Sequence, residues 1–163
     1  MYIRKKQFYI IIAVIVVLMA LFIIYSIRNE GSSNNDNDEV IRLVEDFGGT
    51  LKNVSLLAPR DLVIQAIKEN YSPYVTDELL QKWMNSPRSA PGKTTSSPWP
   101  QRIEVTEIDR LSDEEYSIKG RIAEVTSTEA ESGGAFAFRP IDLIVRRVEN
   151  KWLIDEVTVY NYE

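Results

Sequence analysis

The sequence predicts an α+β domain carried behind one N-terminal membrane-spanning helix, and three observations lead there. Residues 8–25 form a run of eighteen positions without a charge. From Val40 to Met84 apolar residues recur at helical spacing, and from Ile103 to Val159 they alternate with period two. Helices first and strands second is the order of a two-layer α+β domain, with helices packed on one face of an antiparallel sheet.

As a helix the charge-free run is about 27 Å long at 1.5 Å per residue, close to the hydrocarbon thickness of a bilayer. Arg4, Lys5 and Lys6 precede it, and only Arg28 follows before Glu30, Asp36, Asp38 and Glu39. That asymmetry predicts a cytoplasmic N-terminus and an extracytoplasmic remainder. A cleaved signal peptide would have a shorter apolar region ending in a small-x-small site. Leu21, Phe22, Ile23, Ile24 and Tyr25 are all large, so the segment reads as an uncleaved anchor. The expected organisation is a cytoplasmic tail at 1–7, a span at 8–27 in the lipid bilayer, a polar Ser/Asn/Gly linker at 28–37 and an extracytoplasmic domain at 38–163.

Beyond residue 28 the chain holds 15 Lys and Arg against 24 Asp and Glu, a net of −9. Such acidity argues against nucleic acid and against an ectodomain lying on anionic lipid; solubility alone accounts for it. There is no cysteine and no histidine. Disulfides, thiolate metal sites, imidazole bases and most zinc sites are thereby excluded. No metal, cofactor or catalytic residue is expected, and the domain is not expected to be an enzyme.

The elements follow in chain order. Val40, Ile41, Leu43, Val44 and Phe47 have helical spacing, and Asp36 with Glu39 resembles a capping box. The stripe continues through Leu51, Val54 and Leu57, giving one long helix interrupted by Gly48-Gly49. Those glycines mark a bend, a place where another backbone packs close, or the end of the helix. Pro59 opens a second helix carrying Leu62, Val63, Ala66, Ile67 and Tyr71, which Ser72-Pro73 ends. A third starts at a Thr76 cap and buries Leu79, Leu80, Trp83 and Met84 before Pro87. Residues 86–101 form a long loop with four of the seven prolines. Strands then begin at Ile103, at Tyr116, at Phe136 and at Trp152, separated by turns at 112–114, 129–134 and 150–151. The third strand changes phase around Pro140 and the fourth at Asp155-Glu156, and both changes read as bulges that let a sheet curve. The sequons at Asn53 and Asn70 fall in or beside helix and read as chance matches.

Tyr74-Val75-Thr76-Asp77-Glu78-Leu79-Leu80 is similar to the short helix, and Asn150-Lys151-Trp152-Leu153-Ile154-Asp155 to the final strand, of the nuclear transport factor 2-like (cystatin-like) superfamily. The resemblance covers about residues 38–160. It implies a cone of about three helices on a curved four-stranded antiparallel sheet, with an apolar interior, in a superfamily of enzymes, ligand binders and assembly proteins. The whole plan of tail, span, linker and domain resembles assembly components of bacterial secretion and conjugation machines, and membrane-anchored sporulation proteins. There the domain is a docking or self-associating module, so the implied partner is another envelope protein or a second copy.

Candidate interface residues cluster in the proline loop. Trp99 between Pro98 and Pro100 is either a rigid exposed anchor or a plug over the mouth of the cone. Arg88, Lys93 and Arg102 flank the loop and could hold an anion. Tyr71, Tyr74, Trp83, Tyr116 and Trp152 are candidates for lining an interior cavity, and packing in the core explains them equally. Arg146 and Arg147 must point to opposite faces of one strand. Were there catalysis, the base would be a carboxylate among Glu104, Asp142, Asp155 and Glu156.

Overall fold

Val40, Val44 and Phe47 lie on one side of the first helix, Leu51 follows just after it, and each is wholly buried. That helix, α1, occupies residues 35–50 in the computed structural model, which describes residues 18–19 and 35–162. Gly48 and Gly49 do not end it; the chain tightens only afterwards, into a 3₁₀ turn at Leu51–Asn53. The apolar stripe closes at Val54, and Leu57, expected to continue it, is 63% exposed. The turn breaks the helical phase, so a residue three places on no longer returns to the core.

The chain separates into two units, Met1–Asp38 and Glu39–Glu163. In the first, Leu18 and Met19 are helical and exposed. The rest of the span expected at 8–27, together with the tail and the linker as far as residue 34, lies outside the described residues. Among the described residues no helix is long and apolar enough to cross a membrane.

The second unit is α+β. Helix α2 is Arg60–Tyr71, entered from Pro59, whose fixed φ suits that position. Its buried side is Val63, Ile67 and Tyr71, while Leu62 is exposed, so the stripe is narrower than the spacing suggested. Helix α3, Asp77–Asn85, starts where Thr76 Oγ1 accepts the Leu79 amide at 3.3 Å. It buries Leu79, Leu80 and Trp83. A 3₁₀ turn at Pro87–Ser89 follows.

Four antiparallel strands form a sheet in the order β1-β2-β3-β4: Trp99–Ser112, Glu115–Val125, Ala137–Val148 and Lys151–Val159. β1 begins four residues earlier than Ile103, taking Trp99 and Pro100 out of the loop and into the sheet. Proline is tolerated there because β1 is an edge strand and the register shifts between Pro100 and Arg102. The turn expected at 129–134 contains a short fourth helix, α4, at Ser127–Ser132. A capping box between Thr126 and Glu129 starts it, and Gly133 in the left-handed conformation closes it.

One face of the sheet meets the helices. Tyr116, Ile118 and Ile122 of β2, Ile141, Leu143 and Val145 of β3, and Trp152 and Ile154 of β4 join the helical residues in one core. The far edge of the sheet is closed by residues 74–76. Tyr74 O accepts from Ile154 N and Thr76 N donates to Ile154 O, both at 2.9 Å. The expected bulge at Asp155 is present, since Ile144 pairs with Glu156 and Val145 with Ile154. The expected bulge at Pro140 is not. β2 and β3 stay in register without interruption from Glu124–Ala137 to Glu115–Arg146.

Candidate functional site

An unbroken register across Pro140 has a direct consequence for the aromatics before it. Ile141, Leu143 and Val145 face the helices, so Phe138, an odd number of residues away from each, faces outward. Phe138 is opposite Ala123, and on the neighbouring strand Trp99 is opposite Val125, so both indole and phenyl ring stand on the outer face. Ala123 and Val125 on that face are 0% and 1% exposed, covered by their neighbours. Phe136 N donates to Glu124 O at 2.7 Å and starts the β3 pairing just after α4 and its glycines. Phe136 and Phe138 are exposed and, with Pro98, Ala137 and Tyr162, line a surface cavity of about 580 Å³.

Charged groups frame this apolar surface. The Arg121 guanidinium lies 3.8 Å from the centre of the Phe138 ring. Arg121 and Arg102 hold Glu104 from two sides, with Arg102 Nη2 at 2.6 Å from Oε1 and Arg121 Nη2 at 2.8 Å from Oε2. Partial burial would raise the Glu104 pKa, but the hydrogen bonds and charges of the two arginines outweigh it and hold the carboxyl below the usual range. A group whose folded pKa is depressed stabilises the fold above its unfolded pKa and loses that contribution as pH falls through the folded value. Glu104→Gln is therefore expected to lower the melting temperature at pH 7 and to lower it less at pH 3. Melting curves of both proteins at the two pH values check this; an equal deficit at both would show that the clasp contributes nothing through charge.

At the rim a second ion pair lies on the inner face. Glu124, only 4% exposed at its side chain, has Oε1 3.1 Å from Arg139 Nη2. Tyr162 donates its hydroxyl to Glu124 Oε2 at 2.6 Å, which ties the end of the described chain to the sheet. Burial first, then the hydrogen bond to the Glu124 carboxylate and its charge, raise the Tyr162 pKa.

Trp99 and Arg102 thus share the outer face of β1, opposite Val125 and Ala123, and Pro98, just before the strand, lines the cavity at Phe138. Trp99 is half-buried, its indole N–H donating to Gln101 Oε1 at 3.2 Å. Pro100 is buried. Arg88 and Lys93 lie apart from that surface. Arg88 is exposed on the 3₁₀ turn, and Lys93 is pinned by its backbone, donating to Val54 O at 2.8 Å and accepting from Leu56 N at 2.9 Å. Tyr71, Tyr74 and Trp83 surround Phe47, with Trp83 stacked on it at 6.2 Å and Tyr71 edge-on at 5.0 Å. Tyr71 donates its hydroxyl to Pro91 O at 2.6 Å, and burial raises its pKa. Tyr116 and Trp152 form a separate edge-to-face pair at 5.1 Å. The five aromatics pack against protein, and none lines the cavity at Phe138.

Of the candidate carboxylates, Glu104 is held charged between its arginines. Asp142 accepts from the Tyr160 hydroxyl at 2.8 Å, and Asp155 from Thr76 Oγ1 at 3.0 Å while pairing with Arg146. Among the described residues no group of three or more acidic side chains is placed to hold a metal ion. Sequence reasoning missed Phe136, Phe138, Arg121 and Tyr162. The signal was the phase change at Pro140, which marks apolar residues leaving the core face for the outer one.

No family model and no curated protein matches this chain. Three solved structures are similar to it. One is a protein of unknown function from Bacteroides thetaiotaomicron, at 16% identity over 80% of this chain and 97% of that one, with a TM-score of 0.44. An Ntf2 like protein involved in plasmid conjugation matches at 15% identity over 79% of this chain but only 40% of its own length, TM-score 0.41. A DUF4783 family protein from Bacteroides uniformis matches at 11% identity over 77% of this chain and 96% of that one, TM-score 0.38.

Proposed function

We propose that this chain is a membrane-anchored docking module of a bacterial envelope, and that the outer-face surface around Phe138 and Trp99 receives its partner protein. On this reading residues 8–27 span the bilayer, the domain stands outside the cytoplasm, and it works by binding rather than by catalysis. The observation that carries the proposal is the exposure of Phe136, Phe138 and Tyr162 at 61%, 36% and 54% around one concavity, with Arg121 stacked on Phe138. Aromatic and arginine side chains are the residues that dominate interface energies, because they bury large areas for little lost rotamer entropy. Rigid backbone positions them: both Trp99 and Phe138 are held by the strand ladder.

A photo-crosslinking residue at position 138 of the full-length protein in membranes should give a discrete protein adduct, from a second copy or another envelope protein. Trp99→Ala should suppress that adduct, with a loss of about 2 kcal/mol, roughly thirty-fold in affinity, and a nearly unchanged melting temperature. Absence of any protein adduct from position 138, or a melting temperature lowered as far as by a core substitution, would refute the docking surface. The topology is checked separately. Protease added to cells stripped of any outer wall should digest the domain, whereas its full protection would place it inside.

A further inference from the structure

Residues 47–60 and 79–103 hold six Lys and Arg and no Asp or Glu, in a region beyond residue 28 whose net charge is −9. The fold brings these two acid-free segments together. Lys93 N donates to Val54 O at 2.8 Å, and Lys93 O accepts from Leu56 N at 2.9 Å. Arg60 Nη2, at the start of α2, donates to Asn85 O at the end of α3 at 3.0 Å. On the sheet the cations are matched: Arg110, Lys119, Arg121, Arg139 and Arg146 each pair with a carboxylate. Of the six in the acid-free segments only Arg102 does so. Lys52, Arg60, Lys82, Arg88 and Lys93 have no ion pair among the described residues.

A groove of about 410 Å³ lies where the two segments meet. Leu56, Ala58, Val63 and Pro87 give it apolar walls, and Arg60 and Arg88, both exposed, bring two positive charges to its lining. No carboxylate belongs to that lining. Asp61 follows Arg60 in the chain, but adjacent residues of a helix do not face each other. The bond to Asn85 O steadies the Arg60 side chain and uses one of the five N–H donors of a guanidinium.

We propose that this groove receives a short acidic segment of a partner protein, with one apolar side chain between two carboxylates. The charge argues for the occupant: unmatched cations around an apolar concavity, in a domain otherwise acidic, complement carboxylates and repel little of what carries them. Arg60 and Arg88 would each take a carboxylate, whose two oxygens match the planar donor edge of a guanidinium. The apolar side chain would lie on Leu56, Ala58, Val63 and Pro87, and the volume falls within the roughly 300–1,000 Å³ of pockets that bury small groups. In an extended peptide the side chains before and after a given residue leave from the opposite face, so a leucine can enter the groove while its flanking glutamates reach the rim. A lipid headgroup offers the anion without an apolar group beside it. The groove shares no lining residue with the Phe138 surface, so the two can be occupied independently.

The test uses the full-length protein in detergent micelles, titrated at constant ionic strength with a blocked Glu-Leu-Glu peptide. The peptide should raise the melting temperature saturably, as any ligand specific to the folded state does. Blocked Gln-Leu-Gln, blocked Glu-Gly-Glu and glycerol phosphate, the charged part of an anionic lipid headgroup, should each raise it far less. Arg60→Gln and Arg88→Gln should each weaken the apparent affinity for Glu-Leu-Glu at least ten-fold, whereas Phe138→Ala should leave it unchanged. Arg88 is exposed on its turn, so that variant keeps the test open should the loss of the Asn85 contact unsettle Arg60→Gln. No saturable response to Glu-Leu-Glu, or an Arg88→Gln protein responding like the parent, would overturn the assignment. An equal response to the glycine peptide would reduce the groove to diffuse positive charge, and an equal response to glycerol phosphate would make it a headgroup site; either refutes the proposal.

Discussion

Trp83→Ala is expected to cost about 3–5 kcal/mol, the range for deleting a large buried aromatic. Trp83 is 2% exposed and sits where α1, α2 and α3 meet, stacked on Phe47 and edge-on to Tyr71 at 5.6 Å. Tyr71 is held by its hydrogen bond to Pro91 O, so the hole cannot close by the collapse of that ring. A loss of that size is a large part of a typical stability of about 5–15 kcal/mol, and should lower the melting temperature by roughly 10–25 °C. Trp152→Ala should cost less despite the same change in volume. The Trp152 indole N–H is buried without a hydrogen bond, so its removal also removes an unpaired donor. Denaturant titrations of the two variants give the comparison, and equal losses would show that the unpaired donor carries no penalty.

How far the fold could be read from the sequence depended on how many faces each element had. Helix α3 has one buried side and a cap, and Thr76, Leu79, Leu80 and Trp83 all lie where their spacing placed them. Strands with a single apolar face were equally legible, as in Tyr116, Ile118 and Ile122. The third strand was not, because it carries apolar residues on both faces in turn. Phe136 and Phe138 precede Pro140 on the outer side, and Ile141, Leu143 and Val145 follow it on the inner side. A change of phase in the side chains has two physical causes: an inserted residue, or an apolar surface that changes face. Both leave the same pattern in the sequence, and only the pairing of Arg121 with Pro140 separates them. At Asp155 the cause is an inserted residue; at Pro140 it is the second, and it produces the candidate site. Trp99 shows a different difficulty. Three prolines nearby suggested a loop, yet an edge strand with a register shift accepts proline without breaking the sheet.

Gly48→Ala is expected to destabilise the domain by about 1–3 kcal/mol or more, against a gain of about 0.5–1 kcal/mol for the same change at Gly49. Both glycines lie in the last turn of α1, where alanine is the better helix former. Their surroundings differ. A Cβ on Gly48 would run into the Ile103 backbone nitrogen and stand 2.9 Å from Ile103 Cβ, whereas one on Gly49 meets nothing within 4 Å. The obstacle at Gly48 is the backbone of β1, which cannot rotate aside as a flexible side chain would. Either α1 must move off the sheet, opening the layer between Phe47 and Ile103, or β1 must shift against β2, with which it is paired from Trp99 to Ser112. Such a shift would carry Trp99 and Arg102 with it, so Gly48→Ala should also weaken partner capture at the outer face although it touches none of that surface. Melting temperatures of the two alanine variants, with crosslinking from position 138, check both halves of the expectation. A stabilised Gly48→Ala protein would show that helix and strand do not approach so closely, and that these glycines only lower the helical propensity of the turn.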